Sequence, residues 1–225
     1  MRWYPPFRTA VVACVLGAAL CAPAAAETTS QYASLIHSFN PQLGKTQSHK
    51  LAAEVIRDAQ REHLDARLLV AIVTVESRWH PEAVSPDGAR GLGQLMPHTA
   101  RLMGVDASDP RDNLKGTSSY LGRLVRQFGA QGQRLRMAIA AYNLGPLAIE
   151  QAGRIPGGAA GYVRQVVALW HSISAQVGNV AQIIPHGSGT SVIAIVPAAV
   201  VAPYDNIVSI DDVPPQITES AVGGP

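Results

Sequence analysis

Cysteine is almost absent from this chain, and its two cysteines, Cys14 and Cys21, both lie within the first 26 residues. Those residues also hold Arg2 and Arg8, an apolar stretch over 10–22 and small residues over 24–26. This pattern predicts a secretory signal peptide over 1–26, too short for a membrane span. We therefore expect an exported, periplasmic protein of a Gram-negative bacterium, with no membrane span and no disulfide in the mature chain.

Aromatic residues are also scarce, at 5%, and no cluster of basic residues with interleaved aromatics occurs. All lysines and arginines precede Gln165, so residues 27–164 carry a formal net charge of +4 and residues 165–225 carry −4. A charge of +4 attracts an anionic polymer only weakly. We therefore expect no nucleic-acid partner.

Strand-like alternation is missing up to residue 176, and the apolar positions instead recur at helical spacing. This predicts an all-α domain over 48–176, preceded by an irregular segment over 27–47. Asp65 is a good N-cap for a helix that contains the apolar run 68–75, and Gly145-Pro146 ends a buried helix. The predicted helices are 48–64, the helix that follows Asp65, a short one from Pro97 to Gly104, 112–128, 135–142 and 162–176.

The last part of the chain, 177–225, has no basic residue and is rich in Pro, Ala, Val and Gly. Its apolar run over 191–204 is interrupted by Pro197 and Pro203, and it is too short to span a bilayer. We expect this tail to be mostly disordered, with an extra strand or a docking segment for a partner as alternatives.

One acidic residue, Glu76, lies on the apolar face of the helix after Asp65, together with Leu69, Ile72 and Val73. A carboxyl in such a setting is desolvated, which raises its pKa and lets it remain protonated as a general acid near neutral pH. The alternative is an ordinary glutamate at a helix end, solvated or paired with Arg78.

Four segments between residues 65 and 170 resemble, in order, the catalytic domain of the soluble-lytic-transglycosylase type of peptidoglycan enzyme, particularly its small members associated with secretion and conjugation systems. They are VESRW at 75–79, GARGLGQLMPHTA at 88–100, AAYNLGP at 140–146 and GYVRQVV at 161–167. Each segment alone is a weak signal. The set of four behind a signal peptide is specific.

The resemblance implies an all-α, lysozyme-like fold of the goose type, with Glu76 as the catalytic acid and base. It implies that the Tyr142 hydroxyl approaches the catalytic carboxyl, that Tyr162 also reaches the site, and that a flexible turn before Gln94 lets a sugar approach. Each of these residues also has an ordinary structural explanation as a core, loop or helix-end residue. The substrate-binding residues that it implies are Ser77, Gln94, Met96, Tyr142, Asn143 and Tyr162.

The chain departs from the family pattern at two places. Gly93 stands where the family usually has Met, which predicts a missing or rebuilt apolar wall of the cleft. The segment 155–163 is one residue shorter than in the family and lacks its glutamate. Both departures concern the substrate and leave the acid in place.

Only one carboxylate lies in a motif, whereas ordinary glycosidases use two. Glu82 and Asp87 fall in a polar turn, and no cluster of His, Cys, Asp or Glu has ligand spacing, so we expect no metal and no cofactor. The expected partner is the glycan strand of peptidoglycan, with components of a secretion or conjugation apparatus as further candidates. The alternatives are a hydrolytic muramidase and a non-enzymatic glycan-binding assembly protein.

Overall fold

The computed structural model describes residues 28–177 and the backbone of two short strands after them. The predicted signal peptide and most of the predicted tail lie outside the described residues. The helices are α1 (28–39), α2 (Gly44–Glu62), α3 (Ala66–Ser77), α4 (Pro97–Met103), α5 (Pro110–Phe128), α6 (Gly132–Leu144), α7 (Pro146–Ala152) and α8 (Gly157–Val177), with a 3-10 turn at Pro41–Leu43. The predicted all-α class is confirmed.

Helix α3 lies at the centre of the domain. Its residues from Leu68 to Val73 are each exposed by 2% or less, and a helix that is apolar on every side is stable only when it is surrounded by other elements. Helices α2 and α8 pack against it. The predicted N-cap is also confirmed, because the Asp65 side chain accepts a hydrogen bond from the Arg67 backbone N–H.

A buried hydrogen bond joins α8 to the N-terminal end of α3. The Trp170 indole N–H donates to Asp65 Oδ2 at 3.1 Å, and the Arg67 guanidinium donates to the same oxygen at 2.7 Å. Asp65 precedes the first turn of α3, whereas Trp170 lies in the second half of α8. At the other end, the hydroxyl of Tyr162, in the first half of α8, donates to Glu76 in the last turn of α3, so the two helices run antiparallel.

The prediction of an irregular segment over 27–47 is wrong, because residues 28–39 are helical and α2 already begins at Gly44. Tyr32 and Ile36 are exposed by 1% and 0%, and they belong to the same core as α3. Serines and threonines around them have modest helix propensity, so burial of the apolar face stabilises this helix rather than local preference.

Helix α8 begins five residues earlier than predicted, at Gly157 instead of Tyr162. Two glycines stand at its start, but Ala159 is fully buried and its N–H donates to the Pro156 carbonyl. Packing overrides the low helix propensity of glycine here. Tyr162 consequently lies in the second turn of the helix and not at its first residue.

Beyond α8 the described backbone contains an antiparallel pair of strands, β1 (Gln182–Ile183) and β2 (Ile193–Ala194). Of the predicted tail over 177–225, Val177 is the last residue of α8, and the residues other than these strands lie outside the described part of the chain. Among the described helices, none combines the length and apolar character needed to cross a membrane.

Candidate active site

The Glu76 carboxyl lies in the last turn of α3 and is half-buried. The three apolar residues that share its helix face, Leu69, Ile72 and Val73, are completely buried. Burial raises the pKa of the Glu76 carboxyl from 4.5 to about 7, although a hydrogen bond from Tyr162 lowers it. A large part of this group is therefore protonated at neutral pH, which is what a general acid requires.

The partner of the acid is Tyr162, whose hydroxyl donates to Glu76 Oε1 at 2.6 Å. Because α8 runs antiparallel to α3, its second turn carries this tyrosine to the end of α3. Burial, and then the charge of Glu76, raise the pKa of Tyr162 well above its ordinary value, so its hydroxyl keeps its proton and acts as a donor. The bond orients the acid and stabilises its ionised form.

Replacement of Tyr162 by Phe should raise the pKa of Glu76 further, because the hydrogen bond to the carboxylate is lost while the burial remains. We expect the alkaline limb of the pH profile of kcat/KM to move to higher pH. The value of kcat/KM at its maximum should fall roughly tenfold, as expected for loss of one hydrogen bond to a charged group. Initial rates of glycan cleavage between about pH 5 and 9 measure both effects.

Tyr120→Phe is a matched control, because Tyr120 is a nearby half-buried tyrosine whose hydroxyl is not a partner of Glu76. It should leave the alkaline limb where it is in the wild type. An unmoved limb in Tyr162→Phe would show that the hydrogen bond has no influence on the acid.

The loop between α3 and α4 is held by the side chain of Gln94. Its Nε2 donates to the carbonyls of Ala83 and Gly91, at 3.1 and 3.0 Å. Gln94 itself has a φ of 48°, in the left-handed region that a residue with a side chain rarely adopts. Both amide hydrogens are occupied by the loop, so Oε1 remains as the acceptor that this side chain offers to a ligand.

Tyr142, near the end of α6, binds the same loop. Its hydroxyl donates to the Gly93 carbonyl at 2.7 Å, and its ring lies against that of Tyr120 with a centroid distance of 5.3 Å. Burial, and then the charge of Glu76, raise the pKa of Tyr142 well above its ordinary value. Tyr142 is therefore close to the acid, but the hydroxyl that donates to Glu76 belongs to Tyr162.

A cavity of about 220 Å³ lies between the loop, α4 and the end of α6. Among its lining residues are Gln94, Met96, Tyr120, Tyr142 and Asn143. Glu76 does not line it, and Tyr142 connects the cavity with the acid. Aromatic faces together with a few polar groups are the usual lining of a site for a small ligand such as a sugar ring.

The chemistry available at this site rests on one carboxyl group. Burial and the Tyr162 hydrogen bond are the two influences on its pKa, and neither is a second carboxylate. Glu82 and Asp87, in the turn that follows, are exposed. Within residues 28–177, no three His, Cys, Asp or Glu side chains are grouped as a metal site.

Comparison with known proteins agrees with this geometry. The family model of the transglycosylase SLT domain matches residues 54–164, a range that contains Glu76, the loop, Tyr142 and Tyr162. Residues 54–164 belong to this family.

Curated relatives and a solved structure resemble the same SLT domain. The membrane-bound lytic murein transglycosylase F of Yersinia enterocolitica is 45% identical over 86 residues, which are 36% of this chain and 18% of the relative. Transglycosylase F 1 of Alkalilimnicola ehrlichii is 40% identical over 101 residues, 43% of this chain and 20% of the relative. The 70 kDa soluble lytic transglycosylase SLT70 of Escherichia coli aligns with a TM-score of 0.50 at 27% identity, over 65% of this chain and 30% of that one. The chain thus spans about a fifth of the length of the curated relatives it matches. The similarity to SLT70 confirms the predicted lysozyme-like fold class.

The SLT domain brings most of the predicted site residues together around the acid and the cavity. Met96 is half-buried at the N-cap of α4, and Asn143 is exposed at the cavity. Ser77 is different, because it is exposed by 8% and its hydroxyl donates back to the Val73 carbonyl. The roles of these residues in substrate binding stay predictions.

Sequence reasoning missed the residues on α5 that support the loop between α3 and α4. The Asn113 side chain accepts from the Gly93 N–H at 2.8 Å and donates to the carbonyls of Arg90 and Ala107. Asn113 and Thr117 are both fully buried, one helical turn apart. Two polar residues at this spacing within a helix were the only available signal, and nothing in the sequence tells which loop they contact.

Proposed function

We propose that this protein is a peptidoglycan lytic transglycosylase that cleaves the β-1,4 bond between N-acetylmuramic acid and N-acetylglucosamine. The observation that carries the proposal is the half-buried Glu76 carboxyl, with a pKa of about 7 and the Tyr162 hydroxyl on one oxygen. The family of residues 54–164 and the names of the relatives agree with this activity.

The reaction uses Glu76 twice. As an acid, it donates its proton to the glycosidic oxygen, and the bond between that oxygen and C1 of the muramic acid breaks with help from the substrate's own N-acetyl group. As a carboxylate, it then removes the proton of the C6 hydroxyl, whose oxygen forms the new bond to C1. The product is a 1,6-anhydromuramic end, and the carboxyl regains its proton.

The single carboxyl favours this route over hydrolysis. A second carboxylate that activates water, or that attacks C1, is the usual requirement of a glycosidase. The C6 hydroxyl needs no such group, because it is already held near C1 and reacts with the large advantage of an intramolecular step. Tyr162 supports both halves of the cycle, since it stabilises the carboxylate that forms after the first proton transfer.

Digestion of purified sacculi by the protein tests the proposal. We expect muropeptides that are lighter than the hydrolytic products by the mass of one water molecule, because the C6 hydroxyl takes the place of water. Mass spectrometry of the products before and after borohydride reduction measures this directly, since an anhydro end cannot be reduced.

Each alternative has its own outcome in the same digestion. Reducible muramic ends as the main product would show a muramidase of lysozyme type. Binding to sacculi without release of fragments would show a glycan-binding assembly protein. The half-buried acid favours an enzyme over the second alternative, since a binding protein has no use for a carboxyl that is costly to ionise.

We also propose that the protein is exported, that it acts in the periplasm, and that it opens the cell wall locally for a secretion or conjugation apparatus. The export proposal rests on residues 1–26 and the apparatus on the resemblance to small members of the family. Cells that produce the full chain should release a periplasmic form that begins at about Glu27. Intact-mass measurement of the fractionated protein tests this, and an uncleaved cytoplasmic form would contradict it.

A further inference from the structure

Gly93 has no room for a side chain, although its backbone conformation is an ordinary one. A Cβ atom placed there would lie 1.8 Å from the hydroxyl oxygen of Thr117 and less than 3 Å from both of its side-chain carbons. Thr117 is itself completely buried on α5. The space that a side chain at position 93 needs is therefore filled from α5.

The Thr117 hydroxyl also lies at the centre of the polar contacts behind the loop. It is 3.5 Å from Asn113 Oδ1, the atom that accepts the Gly93 N–H. The Thr117 hydroxyl also lies close enough to Tyr142 to oppose the rise that burial causes in the pKa of Tyr142. The Tyr142 hydroxyl in turn donates to the Gly93 carbonyl. Thr117 thus lies against Gly93, whose carbonyl accepts the hydrogen bond of the tyrosine that lines the cavity.

We propose that Thr117 is a positioning residue of the site, which holds Tyr142 with its hydroxyl and occupies with its methyl-bearing side chain the space beside Gly93. The proposal rests on the proposed function and names a residue that tunes it. It also revises the expectation of a missing or rebuilt apolar wall of the cleft, because a side chain at position 93 would point to buried Thr117. The chain pairs glycine in the loop with threonine on the helix, so a side chain at position 93 requires a smaller residue at position 117.

Thermal unfolding of three variants tests whether the Thr117 side chain fills the space beside Gly93, and this test needs no enzymatic activity. Gly93→Ala should lower Tm strongly or prevent folding, because its Cβ overlaps the Thr117 side chain. Thr117→Gly should lower Tm by opening a cavity. The double variant Gly93→Ala/Thr117→Gly should be more stable than Gly93→Ala, since each change removes the defect of the other. Additive losses of Tm would overturn the proposed pairing.

Thr117→Val and Thr117→Ser test whether the Thr117 hydroxyl positions Tyr142. Valine keeps the shape of threonine without the hydroxyl, and serine keeps the hydroxyl. We expect Thr117→Val to raise KM for glycan strands roughly three- to tenfold with little change in kcat, as the loss of one neutral hydrogen bond implies. Thr117→Ser should recover most of the wild-type KM. The pH profile should not move in either variant, because the partner of the acid is Tyr162.

Ser118→Ala is the matched control, because Ser118 is an equally buried hydroxyl on the next residue of α5 that donates to the Lys115 carbonyl. It should lower Tm without a change in KM. Parallel changes of Tm and KM across all these variants would reduce Thr117 to a structural residue and overturn its positioning role.

A spectroscopic readout separates this inference from the proposed function. In protein labelled with ¹³C at tyrosine Cζ, Thr117→Val should shift the Tyr142 signal, which Tyr142→Phe identifies, and Ser118→Ala should not. An unmoved Tyr142 signal would overturn the contact even if the enzyme is active. A wild-type protein that cleaves no glycan would refute the proposed function and leave the unfolding and spectroscopic results to decide the contact.

Discussion

Glu76→Gln should lose ~10² to 10⁴ of the glycan-cleaving activity while keeping the fold. Glutamine has nearly the same shape as glutamic acid, and its oxygen can still accept the hydrogen bond from Tyr162. It cannot donate and recover a proton, so neither half of the proposed cycle can proceed. The measurement is the release of soluble fragments from purified sacculi by equal amounts of the variant and the wild type.

Glu82→Gln provides the matched control for this experiment, since it makes the same chemical change at an exposed position in the following turn. It should retain the activity of the wild type. If Glu76→Gln kept an activity within a few-fold of the wild type, the assignment of Glu76 as acid and base would fail.

The same variant should also change how the stability of the protein depends on pH. The pKa of Glu76 is about 7 in the folded protein, whereas it is near 4.5 in the unfolded chain, where the carboxyl is not buried. Between these two pH values the folded state therefore binds more protons than the unfolded state. The free energy of unfolding of the wild type therefore falls as pH rises through this window. Glu76→Gln lacks the ionising group, and we expect it to exceed the wild type by on the order of 3 kcal/mol above pH 7.

Urea unfolding of both proteins between about pH 4 and 8 measures the difference, and other titrating groups largely cancel because both proteins carry them. The advantage of Glu76→Gln should be small near pH 4 and should grow up to about pH 7. Glu82→Gln should follow the wild type at every pH. A gain in stability that is independent of pH would mean that the ionisation of Glu76 does not oppose folding.

The helices that carry the site were largely predictable from local pattern. Asp65 caps α3, Pro97 begins α4 and Gly145 follows the end of α6, as the sequence indicates. These signals are local, because a cap or a proline acts within one turn of the chain. The local pattern did not predict α1 or the glycine-rich start of α8, because burial against the core stabilises the helical conformation there.

In the candidate site, too, some features were predictable from the local sequence and others depend on how the helices pack. The apolar neighbours of Glu76 on its own helix predicted a raised pKa, and burial does raise it to about 7. The resemblance implied that the Tyr142 hydroxyl approaches Glu76, whereas the hydroxyl that donates to Glu76 belongs to Tyr162. This contact follows from the antiparallel packing of α8 on α3, which places the second turn of α8 beside the acid.

Local sequence pattern was sufficient to predict the all-α class, the position of the acid on an apolar helix face and the residues that carry the family resemblance. These depend on helical periodicity, capping and motif order, which are properties of neighbouring residues. The packing of the helices was needed to show that α1 belongs to the core, that Tyr162 donates to Glu76, and that Thr117 fills the space beside Gly93. Each of these is a contact between residues far apart in the chain, and its existence depends on how the helices pack and not on any local preference.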